Sequence, residues 1–132
     1  MTYNGEDKTP QKITSFTQLR SWVLAREHAV RTYKLTKKFP ADERYGLSSQ
    51  VQRSAVSVPA NIAEGFSRKG IKEKANFYSF ALGSLTETLS HFYIAYDLGF
   101  ISSEELKLIE DKTEDLHKMI NGLIKSVQRG SA

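Results

Sequence analysis

Residues 47–65, with the sequence LSSQVQRSAVSVPANIAEG, decide the fold of this chain. Apolar residues recur there every three or four positions, which places them on one face of an α-helix. That face holds Leu47, Val51, Ala55, Val58 and Ile62. The spacing predicts an amphipathic helix from about Leu47 to Glu64. Pro59 lies inside it and cannot donate a backbone hydrogen bond to the preceding turn, so we predict a kink there. Gly65 is placed to end the helix.

A stripe of small and amide-bearing side chains runs beside this apolar face, within about 40° of one line on an ideal wheel. Its members are Gln50, Ser54, Ser57, Asn61, Glu64 and Arg68, flanked by Arg53. A plain solvent face is usually rich in Lys and Glu, whereas residues of this kind suit close helix approach and buried hydrogen-bond networks. We therefore predict a structural or interfacial polar network rather than a catalytic site. The predicted members are Arg26, Gln50, Arg53, Asn61, Glu64 and Glu87.

The first helix is predicted to begin near Ser15, because Ser15-Phe16-Thr17-Gln18 has the form of a capping box. It is predicted to stop after Phe39, since Pro40 cannot continue a helix. One face of the ideal wheel is apolar and is expected to face the core. That face holds Leu19, Trp22, Val23, Ala29, Val30 and Tyr33.

Two further helices complete the pattern. The third spans about Ile71 to Leu98, and the fourth opens with a second capping box, Ser102-Ser103-Glu104-Glu105. No segment alternates with the period of two that strands show. We predict an all-α, antiparallel, up-down-up-down four-helix bundle over residues 15–129, preceded by a disordered leader at residues 1–14.

The third helix has two apolar stripes, whereas a bundle helix needs one. The first stripe holds Phe77, Phe80, Ala81, Ser84, Leu85, Phe92 and Ala95. The second stripe, about 100° round the helix, holds Tyr78, Leu82, Leu89, Tyr93 and Tyr96. A wide core contact with tyrosine rims would explain both stripes. We favour the other explanation, in which another subunit covers the second stripe as an oligomer interface.

Residues with catalytic or metal-binding chemistry are sparse. The chain has no Cys, which excludes disulfides, thiolate metal sites and Cys nucleophiles. His28, His91 and His117 fall on three different predicted helices; we expect His28 and His117 to be solvated and His91 to be structural. We expect no enzyme activity, metal, cofactor or small-molecule substrate. No apolar run approaches the roughly 20 residues that span a bilayer, so we expect a cytoplasmic protein without a membrane partner.

Positive charge is concentrated in the first half of the chain, although the net charge is only +4. Residues 20–74 hold 12 Lys or Arg against 5 Asp or Glu, whereas residues 75–132 hold 5 against 8. Two clusters stand out at the end of the first helix and the start of the third: Lys34, Lys37, Lys38 and Arg44, and then Arg68, Lys69, Lys72 and Lys74. In an antiparallel bundle these clusters lie at opposite ends. Repeated around an oligomer, each would form a basic rim that binds nucleic-acid phosphates; surface solubilisation is the alternative.

Several segments together resemble one bacterial family, the four-helix-bundle proteins encoded in intervening sequences of 23S rRNA genes. The most specific segment is Val58-Pro59-Ala60-Asn61-Ile62-Ala63-Glu64-Gly65. It is accompanied by Trp22-x-x-Ala25, Phe39-Pro40, Glu43-x-Tyr45-Gly46-Leu47, Ala81-Leu82-Gly83-Ser84 and Leu98-Gly99. The likeness covers about Phe16 to Val127. Arg26 and His28 depart from it, because apolar residues usually fit at those two positions.

The resemblance implies a homopentameric barrel of bundles without established enzyme activity. It also implies that Gln50, Arg53, Asn61, Glu64, Gly65, Arg68 and Glu87 are structural or interfacial. Relatives that accompany diversity-generating reverse transcriptases use a basic surface to engage nucleic acid and the polymerase. We therefore expect a non-enzymatic, homo-oligomeric scaffold, pentameric by this resemblance, that binds RNA or an RNA-associated protein through a basic rim. The alternative is a protein–protein interaction adaptor with no nucleic-acid role.

Overall fold

Four α-helices dominate residues 12–130, the part of the chain that the computed structural model describes. They are α1 (Arg20–Thr36), α2 (Leu47–Ser67), α3 (Ile71–Asp97) and α4 (Ser103–Gln128). No strand occurs in these residues, which confirms the predicted all-α, four-helix fold. Most of the predicted leader, residues 1–11, lies outside the described part of the chain.

Both predicted capping boxes are present, but they start different kinds of helix. Ser102 caps α4: its Oγ accepts from the Glu105 amide at 3.1 Å, and its own amide donates to Glu105 Oε1 at 2.8 Å. The box at Ser15 instead caps a short 3₁₀ turn, Phe16–Gln18. Leu19 then adopts an extended conformation, so α1 begins only at Arg20. Its last residue is Thr36, three residues before the predicted end.

The helices form a square in which each one packs against two neighbours. α2 contacts α1 and α3, and α4 contacts the same two helices. Within residues 12–130, α1 and α3 do not touch and therefore lie on a diagonal. Between α2 and α3, Ser54 bonds to Thr88 and Ser57 bonds to Ser84, the order expected of antiparallel neighbours. α2 is continuous through Pro59, and the kink at that residue stays a prediction.

The core consists of two clusters, one towards each end of the bundle. One cluster contains Leu19, Ala25, Val58, Ile62, Tyr78, Ala81, Leu85, Leu116, Ile120 and Val127. The other contains Phe39, Val51, Phe92, Ala95, Ile101 and Ile109. The α2 face is buried as predicted over Val51, Ala55, Val58 and Ile62, while Leu47 is half-buried. Its periodicity therefore indicated the core contact correctly.

α1 buries only part of the predicted face, since Leu19 and Ala29 are buried whereas Trp22 and Val23 are half-buried. Its buried residues are Ser21, Ala25, His28, Ala29, Thr32 and Thr36. Val30 and Tyr33, predicted to lie in the core, are exposed. The reason is that α1 sits between α2 and α4, and small side chains on its inner face let both neighbours approach closely. The larger apolar residues remain on the outside.

α3 also differs from the prediction, because its inward face combines residues of both predicted stripes. Its buried residues are Tyr78, Ala81, Leu85, Thr88, Phe92 and Ala95, at alternating spacings of three and four. Tyr78, predicted to lie at an oligomer interface, is fully buried in the core of its own chain. Phe80, assigned to the core-facing stripe, is exposed. No helix in residues 12–130 is long and apolar enough to cross a membrane.

Candidate interaction surfaces

The predicted polar stripe of α2 forms a seam of short side chains against α3. Thr88 Oγ1 donates to Ser54 Oγ at 2.8 Å, and Ser84 Oγ donates to Ser57 Oγ at 2.9 Å. Asn61 Nδ2 donates to Ser57 Oγ and to the Ser57 carbonyl, both at 2.9 Å. Short hydroxyl side chains let the two helices pack closely while their polar groups remain paired. This seam is structural, and Asn61 is the predicted network residue that joins it.

The other predicted network residues do not converge. Gln50 and Arg53 are exposed on α2. Arg26 lies on α1, where its guanidinium is 5.5 Å from the centre of the Trp22 ring. Glu87 lies on the diagonal helix α3 and bonds to His91 at 3.1 Å. Within one chain, the side chains of Arg26 and Glu87 therefore cannot pair with each other.

The corner between α2 and α3 carries an exposed group of charged and aromatic side chains. Arg68 Nε is 3.4 Å from a Glu64 oxygen, and Arg68 Nη1 is 3.7 Å from a Glu73 oxygen. The same guanidinium is 4.9 Å from the centre of the Phe77 ring, which meets Phe80 edge to face. Exposed ion pairs of this kind contribute little to stability, roughly 0–1 kcal/mol. These exposed side chains between α2 and α3 therefore add little to the stability of the fold and form part of the protein surface.

Lys74 is half-buried and structural rather than free for phosphate binding. Its Nζ donates to the carbonyl of Phe66 at 2.8 Å and to that of Gly65 at 3.4 Å. These carbonyls belong to the last turn of α2, and that of Gly65 also accepts from the Arg68 amide at 3.2 Å. Burial lowers the pKa of Lys74. We therefore remove Lys74 from the predicted nucleic-acid-binding set.

The remaining predicted cations differ in whether their side chains already have a partner within the chain. Lys38 pairs with Glu105 at the start of α4, and this bond lowers the pKa of Glu105. Of the predicted set, five exposed cations have neither a hydrogen bond nor an ion pair from their side chains within the described residues: Lys34, Lys37, Arg44, Lys69 and Lys72. The two clusters lie at opposite ends, since Phe39 packs with Val51 and Phe92 whereas Gly65 meets Tyr78. Tyr45, beside Arg44, is 90% exposed.

An open groove of about 570 Å³ runs between the outer faces of α1 and α2. Its lining residues are Trp22, Arg26, Ala29, Val30, Tyr33, Lys34, Lys37, Val56 and Pro59. The walls are almost wholly apolar, and the ionisable groups of the lining are three cations and the Tyr33 phenol. Sequence reasoning missed this surface because it assigned Val30 and Tyr33 to the core. Arg26, in the middle of those apolar residues, was the signal that could have revealed it.

A second apolar surface follows the outside of α3, and we call it the α3 ridge. It consists of Phe80, Ser84, Glu87, His91, Ile94 and Leu98, at alternating spacings of four and three. Such a spacing keeps residues on one line of a helix, as in a coiled-coil seam. Phe80, Ile94 and Leu98 are 57%, 47% and 55% exposed, which is high for large apolar side chains. Within the described residues, Ser84 bonds to Ser57 of α2, while Phe80, Ile94 and Leu98 remain exposed.

Of the predicted interface residues other than Tyr78, Leu89 and Tyr93 lie beside α4. Leu82 and Leu89 are half-buried, while Tyr93 and Tyr96 are exposed. The Tyr93 hydroxyl donates to Glu110 Oε2 at 2.6 Å, and this bond raises the pKa of Tyr93. An assignment of these four residues to an oligomer interface stays a prediction.

The three histidines differ in their surroundings, and His91 bonds to Glu87, as described above. His28, predicted to be solvated, is 1% exposed, and neither ring nitrogen has a hydrogen-bond partner within the described residues. Burial, followed by the charge of Arg31, lowers the pKa of His28 to about 4. His117 is exposed and bonds to Asn121 at 3.0 Å. Glu114 and His117 have the Glu-x-x-His spacing of helical metal sites, but residues 12–130 contain no group of three possible metal ligands.

Comparisons with known proteins agree on the family and the fold. The family model of the 23S rRNA-intervening sequence proteins matches residues 17–122. The fold is similar to the crystal structure of a protein of unknown function from the S23 ribosomal protein family of Bacteroides thetaiotaomicron. The two chains share 24% identity with a TM-score of 0.71, over 80% of this chain and 98% of the other. A search of curated proteins found no match.

Proposed function

Because this chain belongs to the 23S rRNA-intervening sequence protein family, we propose that it is a non-enzymatic, homo-oligomeric scaffold of the cytoplasm. The scaffold is a ring of five chains that binds RNA, or an RNA-associated protein, through its basic surfaces. One observation carries the assembly: two apolar surfaces on different helices remain uncovered around a core that is already closed.

Two unlike surfaces favour a ring over a simple dimer. A two-fold dimer has to bring both patches together around one axis, whereas two different patches that pair head to tail form a ring where the rotation closes. The groove lies on α1 and α2, and the ridge lies on α3, so the two patches are distinct. Five is the number of chains that the family resemblance implies.

A non-enzymatic role fits the chemistry of the groove. Its lining includes no carboxylate and no histidine, and so offers neither of the side chains that most often act as general bases. Apart from Tyr33, its ionisable residues are the basic side chains of Arg26, Lys34 and Lys37. Such a surface suits binding rather than proton transfer.

The RNA-binding proposal rests on the five cations without side-chain partners in the described residues. Their repetition around a ring would produce one basic rim at each end, with Lys34, Lys37 and Arg44 on one and Lys69 and Lys72 on the other. Tyr45 adds an exposed aromatic ring beside Arg44, on which an unpaired base can stack. Phosphate contact supplies most of the affinity in this arrangement, so binding depends strongly on salt.

Charge reversal at one rim tests the RNA site. The double variant Lys69→Glu, Lys72→Glu is expected to weaken binding of a structured RNA by roughly tenfold or more. The slope of log affinity against log salt should become shallower by roughly 0.7–0.9 for each lost phosphate contact. The measurement is fluorescence anisotropy of nuclease-treated protein over a salt series, repeated for Lys34→Glu with Lys37→Glu.

The matched control is Lys112→Glu with Lys125→Glu, which makes the same charge change on exposed positions of α4. If the control weakens binding as much as the rim variants, net charge rather than a rim site governs the interaction. If the unaltered protein binds no RNA at low salt, the nucleic-acid role fails. The chain is then a protein–protein adaptor.

A further inference from the structure

We propose that the α3 ridge of one chain packs into the α1–α2 groove of the next, with Glu87 of the ridge paired to Arg26 of the groove. This inference rests on the proposed homo-oligomer and specifies the interface that builds it. The occupant of the groove is therefore a second copy of the same chain.

Length and shape match between the two surfaces. The groove extends along α1 from Trp22 to Lys37, about 22 Å at the helical rise per residue. The ridge extends from Phe80 to Leu98, about 27 Å on the same scale. Side chains that stand in a line on one helix pack naturally into the depression between two others. The ridge is thus long enough to cover the apolar part of the groove from Trp22 to Tyr33, and Lys34 and Lys37 at the end of α1 remain for the rim.

The groove and the ridge also match in their exposed apolar side chains. Val30, Tyr33 and Val56 are exposed in the groove, and Phe80, Ile94 and Leu98 are exposed on the ridge. Exposed apolar side chains that occur singly need no explanation, but two extended sets on one small chain indicate contact surfaces. Removal of these six side chains from water would stabilise the assembly by the hydrophobic effect.

Opposite charges on the groove and the ridge make their pairing specific. The charges of the groove are all positive, and the carboxylate of the ridge is Glu87, midway between Phe80 and Ile94. Arg26 has no carboxylate partner in residues 12–130 and stacks on Trp22, while Glu87 has His91. α1 and α3 lie on a diagonal, so these two side chains can pair only between chains. Juxtaposition of opposite charges fixes the register of such an interface.

A charge swap tests the pairing directly. We expect Arg26→Glu and Glu87→Arg each to raise the dissociation constant of the oligomer at least tenfold, whereas the double variant recovers most of that loss. Molar mass is measured by light scattering across a protein dilution series. Asp115→Arg on the exposed face of α4 makes the same charge change outside the interface and should leave the oligomer intact. Both target side chains are exposed, so circular dichroism should show unchanged folding.

Cross-linking gives an independent measurement, because the chain has no native cysteine. A variant with Arg26→Cys and Glu87→Cys, treated with a short bis-maleimide, should yield a ladder of linked chains. Each single-cysteine variant should yield none beyond background.

The results of these experiments distinguish a failure of this inference from a failure of the proposed function. If the unaltered protein is a monomer, both the Arg26–Glu87 pairing and the proposed homo-oligomer are wrong. An oligomer that neither single variant weakens, or that the double variant fails to restore, overturns the Arg26–Glu87 pairing and leaves the scaffold standing. Loss of RNA binding with an unchanged oligomer would assign the groove to nucleic acid instead, and would also overturn the inference.

Discussion

Replacement of Gly65 by alanine is expected to lower the free energy of unfolding by about 2–3 kcal/mol. A Cβ at this position would lie 2.6 Å from Cε1 and 2.9 Å from Cδ1 of the Tyr78 ring. It would also lie 3.1 Å from the Cβ of Phe77. Tyr78 is fully buried, so its ring has no solvent into which to move. α2 and α3 would have to separate locally at this position.

This expected loss of stability is opposite in sign to the intrinsic helix propensity, which favours alanine over glycine. Alanine stabilises a helix interior over glycine by roughly 1 kcal/mol, and Gly65 lies inside α2. Gly83→Ala provides the matched control, because Gly83 is exposed on α3 and an added Cβ meets nothing within 4 Å. We expect the control to raise stability by about 0.5–1 kcal/mol.

Urea denaturation at one fixed protein concentration measures both variants, since oligomerisation makes stability depend on concentration. Equal stabilisation by Gly65→Ala and Gly83→Ala would show that Tyr78 does not block position 65. The observed close approach would then be wrong.

Acidification is expected to destabilise the fold through His28. The pKa of His28 is lowered from 6.5 to about 4 in the folded chain by burial. The unfolded state therefore binds more protons between these two values, and stability falls as the pH drops from about 6.5 to about 4. The full loss from this group is on the order of 3 kcal/mol. Arg31, the second cause of the lowered pKa, acts in the same direction.

His28→Leu removes the titrating group and tests this account. We expect its stability to be nearly independent of pH over that window, apart from the carboxylates that titrate at the acid end. At neutral pH it should equal or exceed the unaltered protein, because the substitution also removes two buried nitrogens without partners in residues 12–130. Apolar residues usually fit this position in the family that the sequence resembles.

His117→Gln serves as the control, since it removes an exposed histidine from α4 and leaves His28 in place. Thermal unfolding monitored by circular dichroism from pH 4 to pH 8 measures all three proteins. Identical pH profiles for the unaltered protein and His28→Leu would contradict the burial of a neutral imidazole.

Prediction from sequence succeeded where apolar and polar side chains differ sharply around a helix. α2 has one apolar face, and it is buried where predicted over Val51, Ala55, Val58 and Ile62. The capping boxes were also found, because they depend on residues three apart in the chain. Such features are local and need no knowledge of neighbouring helices.

Prediction failed where small or polar residues form the contact. α1 turns Ser21, Ala25, His28 and Thr32 inward, although larger apolar residues lie beside them. On α3, Tyr78 was assigned to an interface and lies in the core, while Phe80 lies outside. The polar seam was predicted for α2, but its partners Ser84 and Thr88 were identified only from the packing of α3.

The amino-acid sequence by itself determined that the chain forms four helices with caps at defined residues, since periodicity and capping act within a few residues of the chain. The tertiary structure alone decided which of two adjacent apolar faces on α1 and α3 became core. That choice depends on how closely neighbouring helices approach, and close approach rewards small side chains over large ones. Val30 and Tyr33 on α1, and Phe80 on α3, were thereby left on the outside, where the proposed interface uses them.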